Sequence, residues 1–325
     1  MTGVFEDYTE LGELGDQLRS KDPGARRVAL IELANLGDPA AVPLIAGALC
    51  DADQGVRLQA ARALGEYDGA TAAEALAVAL VDADADVSAA AAESMAELKD
   101  PAAADAIIPL VAHHAPFVRQ AALRALKELR RTDCLKPALN ALQDADPAVR
   151  VQAVGVIGYL KLDEAIPALR AATADADPSV RRAAVSALGY SWSGPVLETV
   201  RSCLADKDWL VREMAAETIG KAPLAQAAIP ALVTALEDSF WQVRLKATRS
   251  LGKVGAHTAV AAIAAGLTHP QANLRKEAAA ALGEIGAPEA RTHLMLAAED
   301  SDPEVRKNVR WALQQIEVGR GRSAG

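Results

Sequence analysis

Five histidines, three cysteines and several runs of aspartate are the residues from which this chain could build a metal or acid–base site. His113, His114, His257, His269 and His293 are scattered, and none is followed directly by Glu or Asp. Cys50, Cys134 and Cys203 show no CxxC spacing, so they read as three unpaired thiols rather than a zinc or iron–sulfur set. The acidic string DADAD (82–86) lacks the Gly and the terminal Glu that a calcium loop needs. Phosphate-loop, dinucleotide and nucleophile-elbow motifs are missing as well. The residues therefore predict a chain with no catalytic group, no metal and no cofactor.

What the aspartates do follows from the element that carries them. A short signature, D-x-x-V-R, recurs along the sequence. Its Arg position falls at Arg26, Arg57, Ser88, Arg119, Arg150, Arg181, Arg212, Arg244, Arg275 and Arg306. Successive steps are 31 residues, except 32 from Arg212 to Arg244. A period of this size marks stacked supersecondary units. Within one unit, Asp146 is a good N-cap and Pro147 suits the first helical position. Val149, Ala153, Ile157 and Leu160 then make the apolar stripe of an amphipathic helix, and a second helix follows through Ile166, Pro167, Leu169 and Arg170. No segment alternates with period two for long, so strands are not expected. Asp53 with Arg57, Asp146 with Arg150, Asp177 with Arg181, Asp208 with Arg212 and Asp302 with Arg306 are four apart. Each Asp can cap its helix and pair with its Arg or with the neighbouring unit's turn.

Repeats of D-P-x-V-R-x-x-A-A-x-A-L-G-x-I-G followed by a second helix resemble the HEAT-like repeats named after phycobilisome lyases. The resemblance covers about residues 10–317. It implies an all-α, right-handed α-solenoid of about ten helical hairpins of 31 residues, with the D-x-x-V-R helices lining the concave side. Residues 1–317 are expected to form one array, with Leu11, Leu14 and Leu18 supplying a first helix and Arg310 and Gln314 marking an end repeat. Residues 318–325, with their Gly-Arg sequence, are expected to be a disordered tail.

On the D-x-x-V-R helix the core positions are −1, +3, +7 and +10 from the Arg, and +2, +5 and +9 fall on another face. The +9 row passes from Glu66, Glu97 and Glu128 to Tyr159, Tyr190, Lys221 and Lys253. Aromatics are scarce overall, yet Tyr159, Tyr190, Trp192, Trp209, Phe240 and Trp241 gather in four consecutive repeats, the fifth to the eighth. They point to partner anchors, although Trp209 and Trp241 could equally pack between hairpins. Met214 could give an adaptable contact, and Lys221, Lys246, Arg249 and Lys253 could meet acidic groups. Charge is lopsided: residues 1–100 hold 19 acidic and 7 basic side chains, net −12, and the remainder makes the total −9.

These features predict a protein-binding scaffold or assembly or maturation factor holding a partner protein on its concave face, possibly through an acidic segment of that partner. The resemblance also admits a bilin-lyase-like subunit, with a tetrapyrrole stacked on Tyr159, Tyr190 and Trp241, but no residue requires it. Iron hydroxylases of similar architecture carry His-Glu pairs, which are missing here. A pI near 5.2 and the acidic first third oppose nucleic-acid binding. No apolar run suits a membrane span and the acidic start lacks a secretory h-region, so a cytoplasmic location is expected.

Overall fold

The computed structural model describes the backbone of residues 3–223 and 225–323 and the side chains of 10–223 and 225–318. It is all-helical; no strand occurs among the described residues. Internal contacts divide the chain into two compact units, 1–162 and 163–325.

The first unit holds α1 (Gly3–Gln17), α2 (Pro23–Leu36), α3 (Val42–Gly47), α4 (Gln54–Ala63), α5 (Ala70–Ala79), α6 (Ala85–Ala96), α7 (Ala104–Ile107), α8 (Pro116–Leu129), α9 (Leu135–Ala141) and α10 (Pro147–Leu160). The second holds α11 (Ile166–Ala172), α12 (Pro178–Leu188), α13 (Gly194–Ser202), α14 (Trp209–Ile219), α15 (Ile229–Ala235), α16 (Trp241–Lys253), α17 (Val260–Ala265), α18 (Ala272–Ile285), α19 (Ala290–Leu296) and α20 (Pro303–Ser323). The even-numbered helices from α2 carry the D-x-x-V-R signature. Within each unit each packs on the next, and the odd-numbered helices cover one side of them. Leu14 of α1 is buried, so the first repeat has the leading helix its leucines predict. At the other end α20 continues helically through Ser323, where the sequence suggests a disordered tail. No proline interrupts it, and a helix already committed to packing by Val305, Val309, Ala312 and Ile316 extends outward from that base.

Aspartate starts these helices for a local reason. The side chains of Asp22, Asp53, Asp84, Asp146, Asp177, Asp208 and Asp302 accept hydrogen bonds from amides of the first helical turn, which have no intrahelical partner. No ion pair joins any of them to the Arg four residues later among the described residues. Instead, in six places the signature Arg reaches the next repeat. Arg26 pairs with Asp51, Arg57 with Asp82 and Arg119 with Asp144 in the first unit; Arg181 pairs with Asp206, Arg212 with Asp238 and Arg275 with Asp300 in the second. Nε and Nη2 donate to the two carboxylate oxygens at 2.6–3.2 Å. Nη1 of the same Arg donates to the carbonyl six residues before it, as in Arg57 to Asp51 at 3.0 Å. One guanidinium thus ties its own turn to the following one. The expected four-residue pair is replaced because the guanidinium's Nε and Nη2 are already committed to both oxygens of the next turn's Asp.

Helix separation is set at a second position. Gly65, Gly220 and Gly252 each stand eight residues after the signature Arg position, facing a small residue six after the next one. A Cβ on Gly252 would lie 2.8 Å from the Cα of Ala281, and one on Gly220 would lie 2.8 Å from the Cβ of Ser250. Ser94 and Ser250 sit at these crossings and donate to the carbonyls of Ala61 and Ala216 at 3.0 and 2.7 Å. In α20, Arg310 and Gln314 stand where other repeats mostly have an apolar residue and Gly, and both are exposed.

Candidate functional site

Each unit presents an exposed face on its even-numbered helices, made of the +5 and +9 rows. In the first unit Ile31, Arg62, Glu93 and Arg124 are exposed at +5, and Asn35, Glu66, Glu97 and Tyr159 at +9. Glu128, also at +9, pairs with Lys127 at 3.2 Å. Tyr159 is the large aromatic of this face and is 36% exposed. Its hydroxyl accepts from Arg130 Nη2 at 2.8 Å, and the same guanidinium lies 4.8 Å from the ring centroid. Lys127 Nζ stands 6.0 Å from that centroid. Arg130 can reach back because it is the left-handed residue ending α8, with φ 55°. The ring is therefore held in place while remaining partly exposed to solvent.

In the second unit the predicted residues divide into three groups. Tyr190 and Trp192, after α12, are half-buried, and burial pushes the Tyr190 hydroxyl above its ordinary pKa. Trp209 and Phe240 sit at the starts of α14 and α16 and stack with centroids 5.1 Å apart and rings 7° from parallel. Phe240 is 40% exposed, and the Arg212 guanidinium lies 5.8 Å from its ring centroid. Trp209 thus packs against the neighbouring hairpin and still forms part of an aromatic ledge along the turns. Trp241 and Met214 are half-buried.

The basic residues come together with their own acids. Lys246 Nζ donates to Glu217 at 2.6 Å, and Lys221 reaches the other oxygen of that carboxylate at 3.4 Å. Arg249 makes two bonds to Glu277, at 2.9 and 2.7 Å. Position +2 of one helix meets +5 of its neighbour, so Lys246, Glu217, Arg249 and Glu277 form a braced surface rather than a bare cationic patch. The Lys246 bond holds Glu217 below the usual carboxylate range, whereas burial and the nearby Glu277 push Glu284 above it. Lys253 is exposed.

No group of three or more His, Cys, Asp or Glu that could hold a metal ion occurs among the described residues. Cys50 is exposed, Cys134 and Cys203 are buried, and all three are free thiols. No described helix is long and apolar enough to cross a membrane. The aromatic ledge was missed as a pair by the sequence reading. Its signal was the presence of Trp209 and Phe240 at almost equivalent turn positions of successive repeats.

A family model for HEAT repeats matches residues 11–95, 73–139, 135–195, 177–237 and 229–314. No curated protein matches the chain. Among solved structures, YibA of Escherichia coli is 18% identical, over 82% of this chain and 98% of its own, with a TM-score of 0.63. An engineered protein is 20% identical over 95% of this chain and 99% of its own, with a TM-score of 0.50. The Kap95 chain of a Kap95:Nup1 complex is 14% identical with a TM-score of 0.66; the match covers 95% of this chain but only 51% of that one. Identities this low speak for the fold alone.

Proposed function

The chain belongs to the HEAT-repeat family, and from that premise we propose that it is a protein-binding scaffold, acting as an assembly or maturation factor that holds a partner on the exposed face of its even-numbered helices. The observation that carries this reading is Tyr159. A solvent-facing aromatic fixed by Arg130 loses little rotamer freedom on binding, which is the property of an interface anchor. Glu66, Glu93 and Glu97, exposed in the preceding repeats, would give the partner an acidic strip to read. In the second unit Tyr190, Trp192, Trp209, Met214 and Trp241 would add contact area, and Lys221, Lys246, Arg249 and Lys253 would offer an alternating-charge surface rather than a purely basic one. The neighbour solved as Kap95:Nup1 shows the same repeat fold in complex with another protein.

The test is comparative capture from the native cell with tagged wild type and Tyr159→Ala. One protein should be enriched by wild type and reduced at least tenfold by the variant, with both chains melting within a few degrees of each other. Equal capture by the two would remove Tyr159 from the proposed interface and with it the main support for this face.

A further inference from the structure

Within the two units, the rung position, which faces the preceding repeat, is a carboxylate in the six pairs described above and a histidine at His113 and His269, and the two histidines are not alike. In an ordinary rung the Asp does two jobs. Its oxygens receive the preceding repeat's Arg, and one of them also accepts the amide two residues on, as Asp144 accepts from Asp146 N at 2.9 Å and Asp300 from Asp302 N at 2.8 Å. His113 and His269 replace that Asp and keep the second job through Nδ1, accepting from Ala115 N at 3.2 Å and from Gln271 N at 3.0 Å. A backbone amide can only donate, so Nδ1 carries a lone pair and the proton of the neutral ring is on Nε2. Nε2 is then a donor and cannot do the first job.

At His113 no conflict arises, because the preceding repeat has Ser88 in place of Arg. At His269 the Arg is retained. Arg244 Nη2 lies 2.8 Å from His269 Nε2, which sets donor against donor. Arg244 Nε is buried and has no hydrogen-bond partner. Three N–H groups, two from Arg244 and one from His269, therefore converge where every complete rung has a carboxylate. Beside them is a cavity of about 220 Å³ within the second unit, roomy against the ~30 Å³ that one water occupies in the liquid. Val233, Leu236 and Leu274 give it apolar walls, and Glu237, exposed on its rim, is the carboxylate that lines it.

We propose that Arg244 and His269 form a binding site for a small carboxylate anion with a short apolar tail. The carboxylate takes the place of the missing Asp: one oxygen accepts from Arg244 Nε, the other from Arg244 Nη2 and His269 Nε2, and the tail enters the cavity. The planar fork of a guanidinium matches a carboxylate in this bidentate mode. Burial and the adjacent Arg244 push the His269 ring below its ordinary pKa, in the direction of the neutral form, and the Gln271 amide on Nδ1 places that form's proton on Nε2.

The test uses the full chain, ¹⁵N-labelled, with butyrate as probe. The Arg244 Hε–Nε resonance, assigned by its loss in Arg244→Lys, is followed on adding sodium butyrate or sodium chloride at matched ionic strength. Butyrate should move it saturably and chloride should not. His269→Asp supplies the acceptor from within, so in that variant the resonance should start near the butyrate-bound position and bind butyrate at least tenfold more weakly. No saturable shift beyond that of chloride overturns the proposal, as does an equal response in His269→Asp. A saturable shift with inorganic phosphate but none with butyrate refutes the carboxylate class.

Discussion

Replacing Asp206 by Ala should damage the array far more than replacing Asp177, although both lie in the same kind of Asp-rich turn. Arg181 is only 4% exposed, and its Nε and Nη2 are both spent on Asp206, at 2.8 and 2.7 Å. Asp206→Ala leaves that guanidinium buried with two donors unmatched, while Nη1 keeps the carbonyls of Asp175 and Ala176. Breaking one side of a buried pair costs about 3–5 kcal/mol. Asp177 only caps α12, through the amide of Ser179, and losing a cap costs about 1 kcal/mol. With a urea slope of about 2 kcal/mol per molar, the midpoints followed by circular dichroism at 222 nm should fall by about 2 M and about 0.5 M respectively. The double change Arg181→Met with Asp206→Leu removes both charges and should recover most of the loss. If Asp206→Ala costs no more than Asp177→Ala, the rungs do not hold the repeats together and the account of the fold given above fails.

Two further outcomes follow from the same geometry. Gly252→Ala puts a Cβ 2.8 Å from the Ala281 Cα, so α16 and α18 must part; thermal melting should register a loss of about 1–3 kcal/mol, whereas Gly47→Ala, with nothing within 4 Å, should cost nothing measurable. Asp144 is held below the usual carboxylate range by its bonds from Arg119. A depressed folded pKa means that its contribution is complete above the unfolded value near ~3.9 and is lost as pH falls through the folded one. Urea midpoints should therefore drop more steeply below about pH 4 in wild type than in Asp144→Asn, and parallel curves would contradict this.

The spacing of the signature Arg was enough to place all ten helices that carry it, because caps and apolar stripes act within one helix. The Arg partners were not legible in the same way. Asp177 lies four residues from Arg181 and looks like its mate, but Asp206, 25 residues on, is the real one. A second Asp does recur two residues before every one of these capping residues except Asp22, at Asp51, Asp82, Asp144 and Asp206 among others, and that doubled period was the available signal. Lys246 and Arg249 read as free cations for a related reason. Their acids, Glu217 and Glu277, belong to neighbouring helices at a different row position, so only packing brings them together. The exposure of Tyr159 follows from its row, whereas its clamp depends on the left-handed turn at Arg130, which no glycine announces.

The rung that joins successive hairpins also decides which pieces of this gene can be copied. A segment cut from the start of one hairpin to its end severs a guanidinium from its carboxylate at both borders. A segment cut from just before an Arg to just after the following Asp carries the pair intact. Ser88 with His113 is a parcel in which both halves differ from the usual Arg and Asp, whereas in Arg244 with His269 only one half does. Duplication or grafting within this family should therefore respect borders that fall inside helices, and libraries assembled hairpin by hairpin would inherit mismatched seams.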